Sequence, residues 1–167
     1  MKQPGPWHKA YVGLGANLGD PAGQIRAALV GLGGVPGVRV LRSSSLYVSA
    51  PLDAPGQPNF INAVVMIETA LAPHPLLRLL LDLEARLGRV RSFPNAPRAL
   101  DLDLLLYGDE TLDLPELQVP HPRMHLRRFV LEPLVEISPD ATIPGHGSAM
   151  RLLAGLASQN VKTLAAS

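Results

Sequence analysis

Two carboxylates separated by a single residue open the chemistry. In the run Leu100, Asp101, Leu102, Asp103, Leu104, Leu105, Leu106, a period of two describes a strand. Leu100, Leu102, Leu104 and Leu106 then share one face, and Asp101, Asp103 and Leu105 share the other. Aspartate is depleted in strands, so two on one face need a reason. At the rise of an extended chain they stand about 6.5–7 Å apart. At an effective dielectric near 20, their repulsion costs about 2.5 kcal/mol. A divalent cation reverses that sign, and two Mg²⁺ can be held between such oxygens and a substrate phosphate. The plainer alternative is a strand whose second face is simply wet.

The segment leading into this strand weighs between the two. Gly88 to Arg98 carries Arg89, Arg91 and Arg98, and exposed ion pairs alone are a weak reason to gather them there. Arginines beside a carboxylate-held metal are the arrangement that neutralises a polyphosphate during transfer. A second cationic stretch, Pro120 to Phe129, holds His121, Arg123, His125, Arg127 and Arg128. His121 and His125 flank Pro122, so no regular helix carries both, and phosphate contacts fit better than a histidine–metal site. Asn62, within the otherwise apolar Phe60–Thr69, must find partners, either neighbouring backbone or the polar edge of a heterocycle.

The elements that position these residues follow from periodicity and punctuation. Ala10–Leu14 reads as a strand, followed by the glycine-rich turn Gly13 to Gly19, and Asp20-Pro21 starts a helix buried through Ile25, Leu29 and Leu32. The glycine spacing is G-x-G-x-x-x-G, which fails the dinucleotide fingerprint, and no P-loop motif exists in the chain. Val38–Ser49 alternates as one strand, a proline-stiffened loop covers 50–58, and Phe60–Thr69 is the next strand. Pro75–Leu87 is a helix with the stripe Leu76, Leu80, Leu83 and Leu87, bordered by Glu84 and stopped by Gly88. After the aspartate strand come a short hairpin or irregular strand over Thr111–Val119, a buried helix through Phe129, Leu131, Leu134 and Ile137 that ends at Ser138-Pro139, and a C-terminal layer with a short helix over Arg151–Ala157.

The chain has 167 residues, 47% of them hydrophobic, with no break in composition. One domain over 10–167 behind a loose tail, 1–9, is the expectation. The formal charge is +1, which argues against a nucleic-acid or other general polyanion partner. Yet 12 of the 15 basic residues are arginine, whose planar fork suits bidentate phosphate contacts. With no cysteine, disulfides, thiolate catalysis and zinc–thiolate sites are excluded. No signal peptide or membrane span is read, so a cytoplasmic protein with no membrane partner is expected.

Strand–helix–strand–strand–helix–strand is the α+β, ferredoxin-like βαββαβ pattern: an antiparallel sheet with helices packed on it, here with a C-terminal extension. Five motifs lie on it in order. They are Gly15 to Gly19; Asn59-Phe60-Ile61-Asn62-Ala63; Gly88-Arg89-Val90-Arg91; Pro97 to Asp103; and Val119-Pro120-His121-Pro122-Arg123-Met124. Together they closely resemble the 6-hydroxymethyl-7,8-dihydropterin pyrophosphokinase family, over about residues 10 to 145. The resemblance implies an ATP-dependent enzyme of folate biosynthesis that moves pyrophosphate from ATP to the pterin hydroxymethyl group and releases AMP. It implies two Mg²⁺ on Asp101 and Asp103, ATP as co-substrate, and Arg89 and Arg98 as catalytic arginines on the triphosphate. Arg91, His121 and Arg127 align with further ATP contacts. Phe60 and Phe129 align with the rings that sandwich the pterin, Asn62 with the amide that reads its edge, and Ser49 and Leu52 with backbone contacts. Association with other folate-pathway enzymes stays open.

One stretch departs from the family pattern. Members often carry a basic residue and a tryptophan just before the Ala-Pro-Arg step, where this chain has Pro94 and Asn95. Two other readings remain at this point: another Mg²⁺-dependent nucleotide transferase on the same fold, which would release ADP, and a non-catalytic ferredoxin-like binding module. The second leaves the paired aspartates unexplained and lacks the aromatic signature of an RNA-binding sheet.

Overall fold

The computed structural model describes residues 6–50, 58–88 and 100–164. Strand β1 (His8–Ala16) leads into helix α1 (Pro21–Gly33), where the Asp20 side chain accepts from the Gly23 N–H and Pro21 opens the first turn. The chain continues through β2 (Val38–Ser43), β3 (Tyr47–Ser49), β4 (Phe60–Thr69), α2 (Pro73–Leu87) and β5 (Asp101–Tyr107). Two short hairpin strands, β6 (Leu112–Asp113) and β7 (Gln118–Val119), precede a 3₁₀ turn at Met124–Leu126 and helix α3 (Arg128–Ile137). The hairpin β8 (Thr142–Ile143) and β9 (Gly147–Ser148), helix α4 (Ala149–Ala154) and strand β10 (Val161–Thr163) complete the order.

The main sheet is antiparallel throughout, in the order β10-β3-β4-β1-β5, with β2 pairing along β4 beyond the end of β3. Helices α1 and α2 cover one face, over Val12, Leu14, Ala63, Val65, Ile67, Leu102 and Leu104. Helices α3 and α4 cover part of the other, over Tyr11, Val64, Leu105 and Leu106. The protein is therefore an α+β fold. Among the described residues, no helix is long and apolar enough to cross a membrane.

Four local departures from the simple periodic reading have visible causes. The alternating stretch 38–49 is two strands, because Ser44 interrupts it. Its N–H donates to the Val64 carbonyl, while its Oγ takes the Val64 N–H at 2.9 Å, in place of a backbone carbonyl. Leu106 is not on the face of Leu102 and Leu104. A bulge between the pairs Tyr11/Leu106 and Val12/Leu104 inserts one residue, so Leu105 and Leu106 both enter the cluster under α3. Helix α2 begins at Pro73, so both Pro73 and Pro75 sit in its first turn, where their missing N–H groups cost nothing. The C-terminal helix is shorter and earlier than the expected 151–157, capped by Ser148, whose Oγ accepts from the Arg151 N–H.

Candidate active site

Among the described residues, this face is apolar under α3 and more open toward one end, where Gly13, Gly15 and Asp101 are half-buried and Asp103 is exposed. In the register, Gly15 of β1 lies opposite Asn62 of β4 on one side and Asp101 of β5 on the other. Directly paired residues share a face. Asn62, Gly15 and Asp101 thus form one row across three strands, and the neighbouring row is Val64, Gly13 and Asp103. Asn62 and Asp101, two strands apart, have backbones about 9.5 Å from each other. Glycine keeps the space between them open. A methyl at Gly15 would stand 3.4 Å from Asn62 Oδ1, and one at Gly13 would meet the Leu105 side chain at 3.4 Å.

At the β4 end the groups are buried and ordered by hydrogen bonds. Asn62 is only 5% exposed, and its Nδ2 donates to Ser49 Oγ at 2.7 Å. Ser49 in turn pairs with the half-buried Phe60 across β3 and β4. The amide thus has one N–H committed, while Oδ1 leans over Gly15.

At the β5 end, Asp101 is half-buried and Asp103 exposed. Both line a cavity of about 300 Å³ with Glu84 of α2, Glu116, Gln118 and His121. Glu84 is a neighbour in this cavity that periodicity alone left as the border of a helix stripe. It is 8% exposed, and its Oε2 accepts the Leu102 N–H at 2.7 Å on the outer edge of β5. The signal was present as an acid set against a leucine stripe, but its partner is a backbone group that no motif names.

His121 is pushed below the ordinary imidazole pKa by burial, then by the charges of Arg127 and Arg123. Its Nδ1 accepts the Arg123 N–H at 3.1 Å, so the neutral ring keeps its proton on Nε2 as a donor. The Arg127 guanidinium lies 5.5 Å from the centre of the half-buried Phe129 ring, joining the cationic group to an aromatic one.

The structure therefore gathers Ser49, Phe60 and Asn62 at one end of the open half-face, and Asp101, Asp103 and His121 around one cavity at the other. Arg127 bears on both His121 and Phe129. Leu52, Arg89, Arg91 and Arg98 lie outside the described residues.

Among the described residues, no group of three or more His, Asp or Glu side chains could hold a metal ion by itself. Two aspartates supply hard oxygen donors without completing a coordination sphere. That suits Mg²⁺, which takes one or two carboxylates and completes its shell with water and substrate phosphates. The donor set fits the ion.

Comparison with known proteins bears on what this face does. The family model described as 7,8-dihydro-6-hydroxymethylpterin-pyrophosphokinase (HPPK) matches residues 11–139. The chain belongs to the HPPK family. A protein of Pseudomonas aeruginosa named 2-amino-4-hydroxy-6-hydroxymethyldihydropteridine pyrophosphokinase is 44% identical over 156 residues, covering 93% of this chain and 96% of its own. The protein of the same name from Haemophilus influenzae is 44% identical over 135 residues, covering 81% and 84%. A solved HPPK-DHPS structure from Plasmodium falciparum superposes with a TM-score of 0.70 at 14% identity, over 93% of this chain. At that identity the likeness concerns the fold, and this HPPK chain spans 43% of the length of the solved one.

Proposed function

We propose that the open half-face is where this chain carries out its family's reaction. The reaction transfers pyrophosphate from ATP to 6-hydroxymethyl-7,8-dihydropterin, giving AMP and the pterin diphosphate in folate biosynthesis. The chain is an ATP-dependent pyrophosphokinase. The observation that carries the location is the row Asn62, Gly15, Asp101: an amide, an open floor and a carboxylate in line across three strands.

In this reading the pterin lies over Gly15 between Phe60 and Phe129, and Asn62 reads its edge, with Ser49 and Leu52 beside it. Stacking on the rings contributes about 1–3 kcal/mol per ring system, by analogy with nucleobases. The triphosphate extends toward Asp101 and Asp103, with Arg89 and Arg98 on its oxygens and Arg91, His121 and Arg127 on the rest of ATP. Asp101 and Asp103 would hold two Mg²⁺, which supply charge neutralisation at the phosphate oxygens. The pterin hydroxyl oxygen bonds to the β-phosphorus as the bond from that phosphorus to the α–β bridging oxygen breaks; AMP leaves with that oxygen, and the hydroxyl proton is released to solvent. The chain's own task is positioning: it holds the hydroxyl in line with the β-phosphorus and keeps the charge compensated.

The ferredoxin-like reading of the core belongs to the same proposal. It is supported by a sheet in which β1 lies between β4 and β5 and two helices, α1 and α2, pack on one face. We also read 10–167 as one domain behind the tail 1–9, working in the cytoplasm, with other folate-pathway enzymes as candidate partners. The test is to incubate the protein with ATP, Mg²⁺ and the pterin and resolve the nucleotides. AMP formed only when pterin and metal are both present is the expected result. ADP, or no pterin-dependent product, would overturn the reading.

A further inference from the structure

Strand β3 carries Ser49, yet it is only three residues long. It pairs with β4 on one side and β10 on the other, and a further contact from outside the site braces it. Glu136, in the last turn of α3, reaches across to the segment that enters β3. Its carboxylate accepts the Ser45 N–H at 3.0 Å, the Ser45 hydroxyl at 2.9 Å and the Tyr47 hydroxyl at 2.6 Å. Tyr47 is 7% exposed and pairs directly with Asn62, so their side chains are neighbours on one face. Two residues on, Ser49 Oγ takes the Asn62 amide proton.

The same helix carries Phe129 in its first turn. Glu136 thus ties the helix that bears one aromatic ring to the strand that orients the amide. Two elements that would meet the same bicyclic substrate from different sides are bridged directly by one carboxylate with three donors, beside the apolar packing of α3 on the sheet. Charge-assisted bonds of this kind are roughly twice as strong as neutral ones.

We infer that Glu136 and Tyr47 are positioning residues for the pterin end of the site, fixing the spacing between Phe129 and the Ser49–Asn62 pair. This rests on the pterin assignment above. Neither residue touches substrate in this account; both act through Ser49 and Asn62.

The test compares Tyr47→Phe, Glu136→Gln and Ser45→Ala with the wild-type chain. It measures KM for pterin, KM for ATP, kcat, pterin binding by fluorescence titration, and thermal midpoint. Tyr47→Phe keeps the buried ring and removes only the hydroxyl. It is expected to raise KM and Kd for the pterin about tenfold, with KM for ATP within about twofold. Glu136→Gln, which still accepts from Tyr47, should show a smaller shift in the same direction, and Ser45→Ala the smallest. Variants that lose only thermal midpoint, with both KM values unchanged, would overturn the inference and leave the pterin assignment standing. A wild-type chain that neither binds nor turns over the pterin would overturn both.

Discussion

The two faces of the sheet solve different problems with the same strands. Under α1 and α2, side chains interdigitate into a closed apolar layer: Val12, Val65, Ile67, Leu76 and Leu80 are all essentially inaccessible. On the opposite face, among the described residues, α3 and α4 pack over Tyr11, Leu105 and Leu106, and the other half carries the buried Asn62 beside the half-buried Gly15 and Asp101 and the exposed Asp103. Strand β5 shows the contrast within itself, with Leu102 and Leu104 buried on one side while Asp103 is exposed on the other. With the site placed as proposed, the difference teaches that stability and chemistry divide by face. Removing a group from the first should cost folding, and removing one from the second should cost turnover.

The largest effect belongs to the carboxylates. Asp101→Ala and Asp103→Ala should each lower turnover by about 10²–10³-fold or more, with little change in thermal midpoint. Steady-state rates and melting curves on the same samples check both halves of that statement. A large loss of stability in either variant would break the division between faces.

Leu80→Ala is the opposite case. Leu80 is 0% exposed in the layer under α2, so its truncation should cost about 2–5 kcal/mol in urea unfolding. The folded fraction should keep its KM for both substrates.

Gly15→Ala sharpens the comparison further. The added methyl would make an ordinary contact, 3.4 Å from Asn62 Oδ1, so the fold should accommodate it. It would stand on the floor proposed for the pterin, and KM for that substrate should rise by about fivefold or more.

The smallest effect is an acid limb at the boundary between the two halves. Burial pushes the Glu136 carboxyl up, but the donors from Tyr47 and Ser45 outweigh it and hold the group below its ordinary value of 4.5. A lowered carboxylate contributes stability that is complete above the unfolded pKa and is lost as pH falls through the folded one. Urea midpoints of the wild-type chain should therefore fall below about pH 4.5, and Glu136→Gln should lack that component of the fall.

Much of this division is legible in the sequence, because both faces are written in period two. The alternation of Leu102, Asp103 and Leu104 assigns them to opposite faces, and the helix stripe through Leu76, Leu80 and Leu83 matches the buried set. Asn62 stands out as an amide among apolar neighbours, and its partner is found in Ser49. What escaped depends on contacts that join distant positions. The break at Ser44 arises from a hydroxyl bonded to Val64, twenty residues away. Leu106 changes face through a bulge whose cause lies in the pairing with β1. Glu84 meets an edge N–H on β5, and β10 adds to the sheet beside β3 from the far end of the chain. Periodicity describes a strand, but not which neighbour completes its hydrogen bonds.

The most direct measurement is a crystal structure of the chain with Mg²⁺, a non-hydrolysable ATP analogue and 6-hydroxymethyl-7,8-dihydropterin. The account predicts the pterin over Gly15 with its edge at Asn62, and metal ions between the carboxylates of Asp101 and Asp103 and the phosphates. A pterin bound elsewhere, or phosphates and ions away from Asp101 and Asp103, would contradict it.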